Sequence, residues 1–350
     1  LAGAEHKIAV YSLDCKRISE EEAKTQSEIL LFYFDVNPYY VDTLDRKVTE
    51  KFLEVTHQEY FNRLSESERK EMQGFFTDEP QISRNGIPWS FIYESEYRAA
   101  YGEELLDVLP ALFFKTDRFE RTRWRFWRLT TRLFMNNFMK PIHDWCTAHG
   151  WKLTGHMVCE DNYSSQLTSN GAVMPMYQYF HIPGMDALGR GMVSVATTLQ
   201  LASAAAQAGL NQILSETFAL CGWAVDFADL KWLYQWQTVH GINLLCQHLE
   251  GYSLRGIRKR DYPASLFIHQ PWWEHYRPFN DAFSRVGVML ANGEIRTNVL
   301  LLHGISTAHI FHDETREATD HYMLYSADFE NLSRELESAH INHHYGDETL

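Results

Sequence analysis

Apolar residues recur along this chain in two rhythms. Short apolar runs bounded by polar or turn residues predict strands over 7–13, 29–36, 74–77, 152–158, 176–182, 212–215, 242–246 and 297–302. Longer stretches with helical spacing predict helices over 43–64, where Val48, Phe52, Val55 and Phe61 share a face, and over 117–149, 192–208 and 227–240. The last three end at Gly150, Gly209 and Gly241, each just ahead of a predicted strand. Helix, glycine, strand, repeated, is the grammar of successive β-α units on a parallel sheet.

The fold class expected is α/β, a TIM (β/α)8 barrel that is incomplete in this chain. Runs beginning at residues 74, 152, 176, 212 and 242 supply about strands 4 to 8 of the eight a closed barrel needs. About three earlier strands are therefore expected upstream of residue 1. The first two strand candidates have no helix between them, so residues 1–40 read as a remnant of a β-rich insertion. Residues 41–278 read as the barrel catalytic region. From residue 279 a helix over 279–292, the run TNVLLLHG and a helix over 329–340 read as the start of a C-terminal α/β domain.

In such a barrel the chemistry lies at the carboxyl ends of the strands. Two runs, GFFTDEP and NQILSET, deliver Glu79 and Glu216 to those ends, at about strands 4 and 7. Glycosidic bond hydrolysis needs two carboxyl groups, one protonated and one ionised, and this pair is the natural candidate. Each also reads as an ordinary acid opening the next helix. Around them, Asp78 adjoins Glu79, His156 closes its strand beside Gly155, and Glu160 follows in Cys159-Glu160-Asp161 as a rival acid. His181 is expected to close the strand over 176–182, with Asp186 five residues on. Beyond the last barrel strand, His248, Glu250 and Trp272 fit a sugar subsite in which a ring stacks on indole; Trp223 joins them as a substrate-binding candidate. Tandem Trp272 and Trp273 read equally as packing between barrel and next domain.

Composition narrows the partners. A net charge of −14 argues against nucleic acid and against an anionic membrane surface. The basic stretch 118–132, with its Trp124, Phe126 and Trp127, reads as a solvated helix face whose aromatics turn to the core. Five scattered cysteines show no paired spacing, so neither zinc nor a disulfide framework is indicated, and free thiols favour the cytoplasm. No apolar run reaches 18 residues and no export signal is visible at the start. His303, His309, His312, His321, His340, His343 and His344 crowd the end without a recognised metal-binding spacing, so metal ligands stay unassigned. A homo-oligomer stays open.

The ordered segments GFFTDEP, NQILSETFALCGW, GINLLCQHLEGYSLRG, HQPWW with FNDAF, and TNVLLLHG resemble the catalytic region of bacterial glycoside hydrolases of the α-L-rhamnosidase kind, family 106 and its relatives. The resemblance covers roughly residues 30 to 310. It implies a carbohydrate substrate, Glu79 as general acid and Glu216 as general base in an inverting reaction, and a calcium ion that engages sugar hydroxyls. Three other readings stay open: a retaining β-galactosidase-like hydrolase using the same two positions, a barrel that binds carbohydrate without turnover, and a metal-dependent hydrolase using the terminal histidines.

Overall fold

The computed structural model describes residues 6–83, 86–260, 262, 265–313 and 316–350. A small antiparallel sheet opens it, with β1 (Lys7–Tyr11) between β2 (Arg17–Ile18) and β3 (Leu30–Tyr33). Next comes a five-stranded sheet of β4 (Gly74–Asp78), β5 (Lys152–His156), β6 (Ile182–Ala187), β7 (Leu214–Thr217) and β8 (Leu244–Gln247), in chain order. Every neighbouring pair is parallel. The sheet curls, with helices outside it, into half of a (β/α) barrel, as the glycine-ended helices predict. A further α/β element follows, in which β9 (Val299–Leu302) pairs in parallel with β10 (His343–Gly346) across the helix Arg316–Ser338.

The helix predicted over 117–149 runs Phe119–Phe134, widens into a π turn at Met135–Met139, and continues as Lys140–Ala148. The π turn has a cause at Pro141, whose missing N–H and bulky ring do not fit an unbroken ladder. As expected, Phe126 and Trp127 are buried while Arg118, Arg121, Arg128 and Arg132 are exposed. Arg123 departs from that expectation: it is buried, and its guanidinium donates to the Ala111 carbonyl at 2.8 Å and to Asp313 at 3.3 Å.

One predicted strand is displaced. Residues 176–182 are not a strand: Met174–Tyr177 is a helical turn with Pro175 in its first positions, and β6 begins only at Ile182. Met174, Met176, Tyr177 and Phe180 are all buried, so the run shows no period by which a strand could be told from a buried helix.

The principal core lies between the half-barrel and its outer helices and includes Trp127, Phe134, Leu153, Met185 and Leu201. Tyr11 from the first sheet and Tyr345 from β10 belong to it as well. Tyr345 is anchored through its N–H to the Ser203 hydroxyl at 2.8 Å and through its own hydroxyl to Ser333 at 2.8 Å.

Candidate active site

Register decides which side chains meet at the carboxyl ends of the strands. Asp78 pairs with His156, and His156 with Gly184, while Asp186 pairs with Glu216, and Glu216 with Cys246. Side chains in register on neighbouring strands share a face of the sheet. Asp78, His156, Asp186 and Glu216 therefore converge from four consecutive strands. Glu79 follows Asp78 with a left-handed backbone (φ 50°), and Cys159, Phe218 and Leu220, in the loops after β5 and β7, also have positive φ. Non-glycine residues rarely adopt this conformation, and such strain collects where function constrains the chain.

His156 is the hub. Its ring is 1% exposed. Nδ1–H donates to the Met157 carbonyl at 3.1 Å and Nε2 donates to Glu216 at 2.8 Å, with an Asp78 carboxylate oxygen 3.4 Å from the same nitrogen. Burial alone would lower its pKa, but the hydrogen bond to Glu216 and the charges of Glu160 and Asp186 outweigh it and lift the value to about 9. His156 is thus an imidazolium at neutral pH. Glu216, held by that cation and with His248 Nε2 3.7 Å from its other oxygen, is kept below the usual carboxylate range despite partial burial.

Two neighbouring carboxyls move the other way. Burial lifts Glu160 to about 7; its oxygen accepts from the Met157 N–H at 3.2 Å and from the Tyr177 hydroxyl at 2.7 Å. Glu160 is 5% exposed and so committed within the protein, behind His156. Burial likewise lifts Asp186 to about 6, with Glu216, Glu79 and Asp78 adding negative charge around it. One Asp186 oxygen is buried without a hydrogen-bond partner. A strand over 176–182 would end before Asp186, which is why the sequence alone offers it only as a neighbour of His181.

The remaining candidates separate. His181 stands at the entry to β6, away from the carboxylates, which corrects its expected place at a strand end. Its Nδ1 accepts from the Leu153 N–H at 2.9 Å, its Nε2 lies 3.0 Å from the Thr147 hydroxyl, and its ring stacks on His143. His248 joins the mouth. Glu250 follows it, exposed, and Trp223 lies 45% exposed in the loop after β7. Trp272 is half-buried in packing: its indole N–H donates to the Val225 carbonyl at 2.9 Å, and its ring meets Phe227 and Tyr276. Among the described residues the terminal histidines form no group placed to hold a metal: His309 bonds the Gly171 carbonyl, His312 meets the Trp127 ring, and His343 meets the Ser333 hydroxyl.

Among the described residues, Asp78, His156 and Glu216 form the one group whose ligand atoms, all within 4.8 Å of one another, could hold a metal ion. One imidazole and two carboxylates do not fit calcium, which takes oxygen ligands. They would suit a transition ion, but only after His156 Nε2 gives up the proton it shares with Glu216.

The ion pair has a testable signature. An unfolded histidine titrates near 6.5, so a folded value of about 9 means that the folded state keeps a proton the unfolded state releases between those values. The stabilisation is full below about pH 6.5 and lost as pH rises through about 9, and the shift corresponds to about 3 kcal/mol. In urea titrations across that window, the stability gap between wild type and His156→Gln should narrow as pH rises. A constant gap would mean an uncharged ring.

No protein-family model matches the chain, and no curated protein matches it. Among solved structures it is similar to the rhamnosidase from Novosphingobium sp. PP1Y, with a TM-score of 0.62 and 18% identity over 81% of this chain and 28% of that one. The chain thus spans little more than a quarter of that enzyme, and at this identity the likeness is one of fold: a half-barrel with its outer helices, built as part of that larger chain is built.

Proposed function

We propose that this chain carries the catalytic face of a glycoside hydrolase that removes a terminal sugar of the α-L-rhamnoside type. The observation that carries this reading is an ionised Glu216, fixed by the His156 imidazolium at the end of β7 and converging with the acidic end of β4. The rhamnosidase-like fold supports the substrate class.

In this reading Glu216 takes a proton from the water that attacks the anomeric carbon, and Glu79 gives a proton to the departing glycosidic oxygen, with inversion. His156 keeps Glu216 ionised and oriented; Asp78, His248 and Trp223 line the sugar. A second assignment of the acid is favoured by one observation: Asp186 has the raised pKa, about 6, that suits a proton donor near neutrality. A metal held by Asp78, His156 and Glu216 would polarise a sugar hydroxyl, and no step above depends on it.

The two acids are separated by leaving-group dependence. The true general acid, replaced by its amide, should slow a nitrophenyl rhamnoside about 10²- to 10⁴-fold yet leave a dinitrophenyl rhamnoside, which departs unassisted, nearly untouched. Glu79→Gln and Asp186→Asn are the variants to compare, with and without EDTA. If both variants slow both substrates equally, neither residue is the acid. If the wild-type chain binds rhamnose but hydrolyses no member of a nitrophenyl glycoside panel, the carbohydrate-binding barrel is the correct reading.

A further inference from the structure

A cavity of about 270 Å³ lies away from the barrel mouth, between the helix Phe119–Phe134, the short helix Ile305–Phe311 and the end of the chain after β10. None of the carboxylates at the strand ends of the half-barrel lines it. Its walls combine apolar residues, including Trp124 and Ile305, with His309, Asp347 and Glu348 and with the guanidinium side chains of Arg128 and Arg132. A dry cavity of about 150 Å³ already takes a benzene ring, so this volume admits a substituted ring.

The polar groups define what such a ring must carry. His309 is 4% exposed, and its Nε2–H donates to the Gly171 carbonyl at 3.0 Å, which leaves Nδ1 with a bare lone pair. That nitrogen is buried without a partner. Asp347 is 8% exposed; one of its oxygens accepts from the Thr349 N–H at 2.8 Å, while the other is buried, unpartnered, and 4.0 Å from His303 Nδ1, beyond hydrogen-bond reach. Two buried acceptors without donors cost about 1–3 kcal/mol each unless something supplies a donor. Arg128 and Arg132 are exposed, and neither meets a carboxylate within ion-pair distance among the described residues, although Arg128 lies over the Trp124 ring. Guanidinium groups in that state suit a carboxylate.

We propose that this cavity binds a small hydroxylated organic acid, its ring among the apolar residues, its hydroxyl donating to His309 or Asp347, and its carboxylate paired with Arg128 and Arg132. The site is independent of the glycosidase reading, and its ligand is a different chemical class from a neutral sugar.

Calorimetric titration of the full chain with 4-hydroxybenzoate tests it, with benzoate (no hydroxyl donor) and 4-hydroxybenzyl alcohol (no carboxylate) as comparisons. Saturable binding of 4-hydroxybenzoate is expected, at least about tenfold tighter than either comparison, which corresponds to about 1.4 kcal/mol. The double variant Arg128→Ala/Arg132→Ala changes exposed side chains, so it should keep the wild-type Tm and lose at least about tenfold in affinity. Glu216→Gln should bind as wild type does. No saturable binding up to about 5 mM, equal affinity for all three probes, or an undiminished affinity in the double variant would each overturn the proposal. Loss of binding in Glu216→Gln would place the ligand in the barrel mouth and overturn it too.

Discussion

Glu216→Gln should lower kcat on an aryl rhamnoside by about 10³-fold or more while changing KM by less than about threefold, a loss of roughly 4 kcal/mol in transition-state stabilisation. Glutamine keeps the size of the side chain and an oxygen that can accept from His156, so the change removes charge and basicity and little else. The His156–Glu216 contact at 2.8 Å makes this substitution more telling than alanine, which would leave His156 Nε2 beside a cavity with no hydrogen-bond partner in place of Glu216. Without the carboxylate, His156 loses the largest of the interactions that raise its pKa, and burial then favours the neutral ring. The variant should therefore stay folded near neutral pH and bind sugar without turning it over. A fall in kcat of less than about tenfold would remove Glu216 from the role of base, since general base catalysis contributes about 10²- to 10⁴-fold.

The parts of this site legible in the sequence were those set by local chain. Gly150, Gly209 and Gly241 mark helix ends because a left-handed residue after a helix favours glycine, and all three have positive φ in the structure. Each is followed by a strand of the half-barrel, so the alternation of helix and strand could be read from three positions. The pairing of Glu216 with His156 could not, since the two stand 60 residues apart and meet only through the register of three consecutive strands. Asp186 was hidden for a different reason: burial on all sides erased the period over 174–180, and a strand placed too early put His181 where Asp186 belongs. The titration behaviour of the site was equally out of reach. It arises from charges brought together by the fold, whereas a residue's type fixes only its unperturbed value.

Gly155→Ala should destabilise the half-barrel by several kcal/mol, about 2–6 from backbone strain and overpacking together. Gly155 lies in β5 at φ +135°, a conformation L side chains rarely adopt, and a Cβ there would sit 1.9 Å from the Thr77 carbonyl oxygen and 2.8 Å from its carbon. Both are backbone atoms of β4, in the register that pairs Thr77 with Gly155 and the next pair, Asp78 with His156. Relief requires the two strands to part, and parting them separates the two residues the site depends on. Backbone strain of about 1–3 kcal/mol adds to an overpacking cost of about 1–3 kcal/mol, before any ladder hydrogen bond is lost. A total of about 2–6 kcal/mol is a large share of the roughly 5–15 kcal/mol that keeps a protein folded. Gly150→Ala serves as the control: its φ is +74°, but a Cβ there meets nothing within 4 Å, so only the conformational penalty of about 1 kcal/mol applies. Urea unfolding of both variants isolates the clash as the difference between them. If Gly155→Ala unfolds within about 1 kcal/mol of Gly150→Ala, β4 and β5 do not approach as closely as the glycine implies, and the convergence of Asp78 with His156 loses its structural basis.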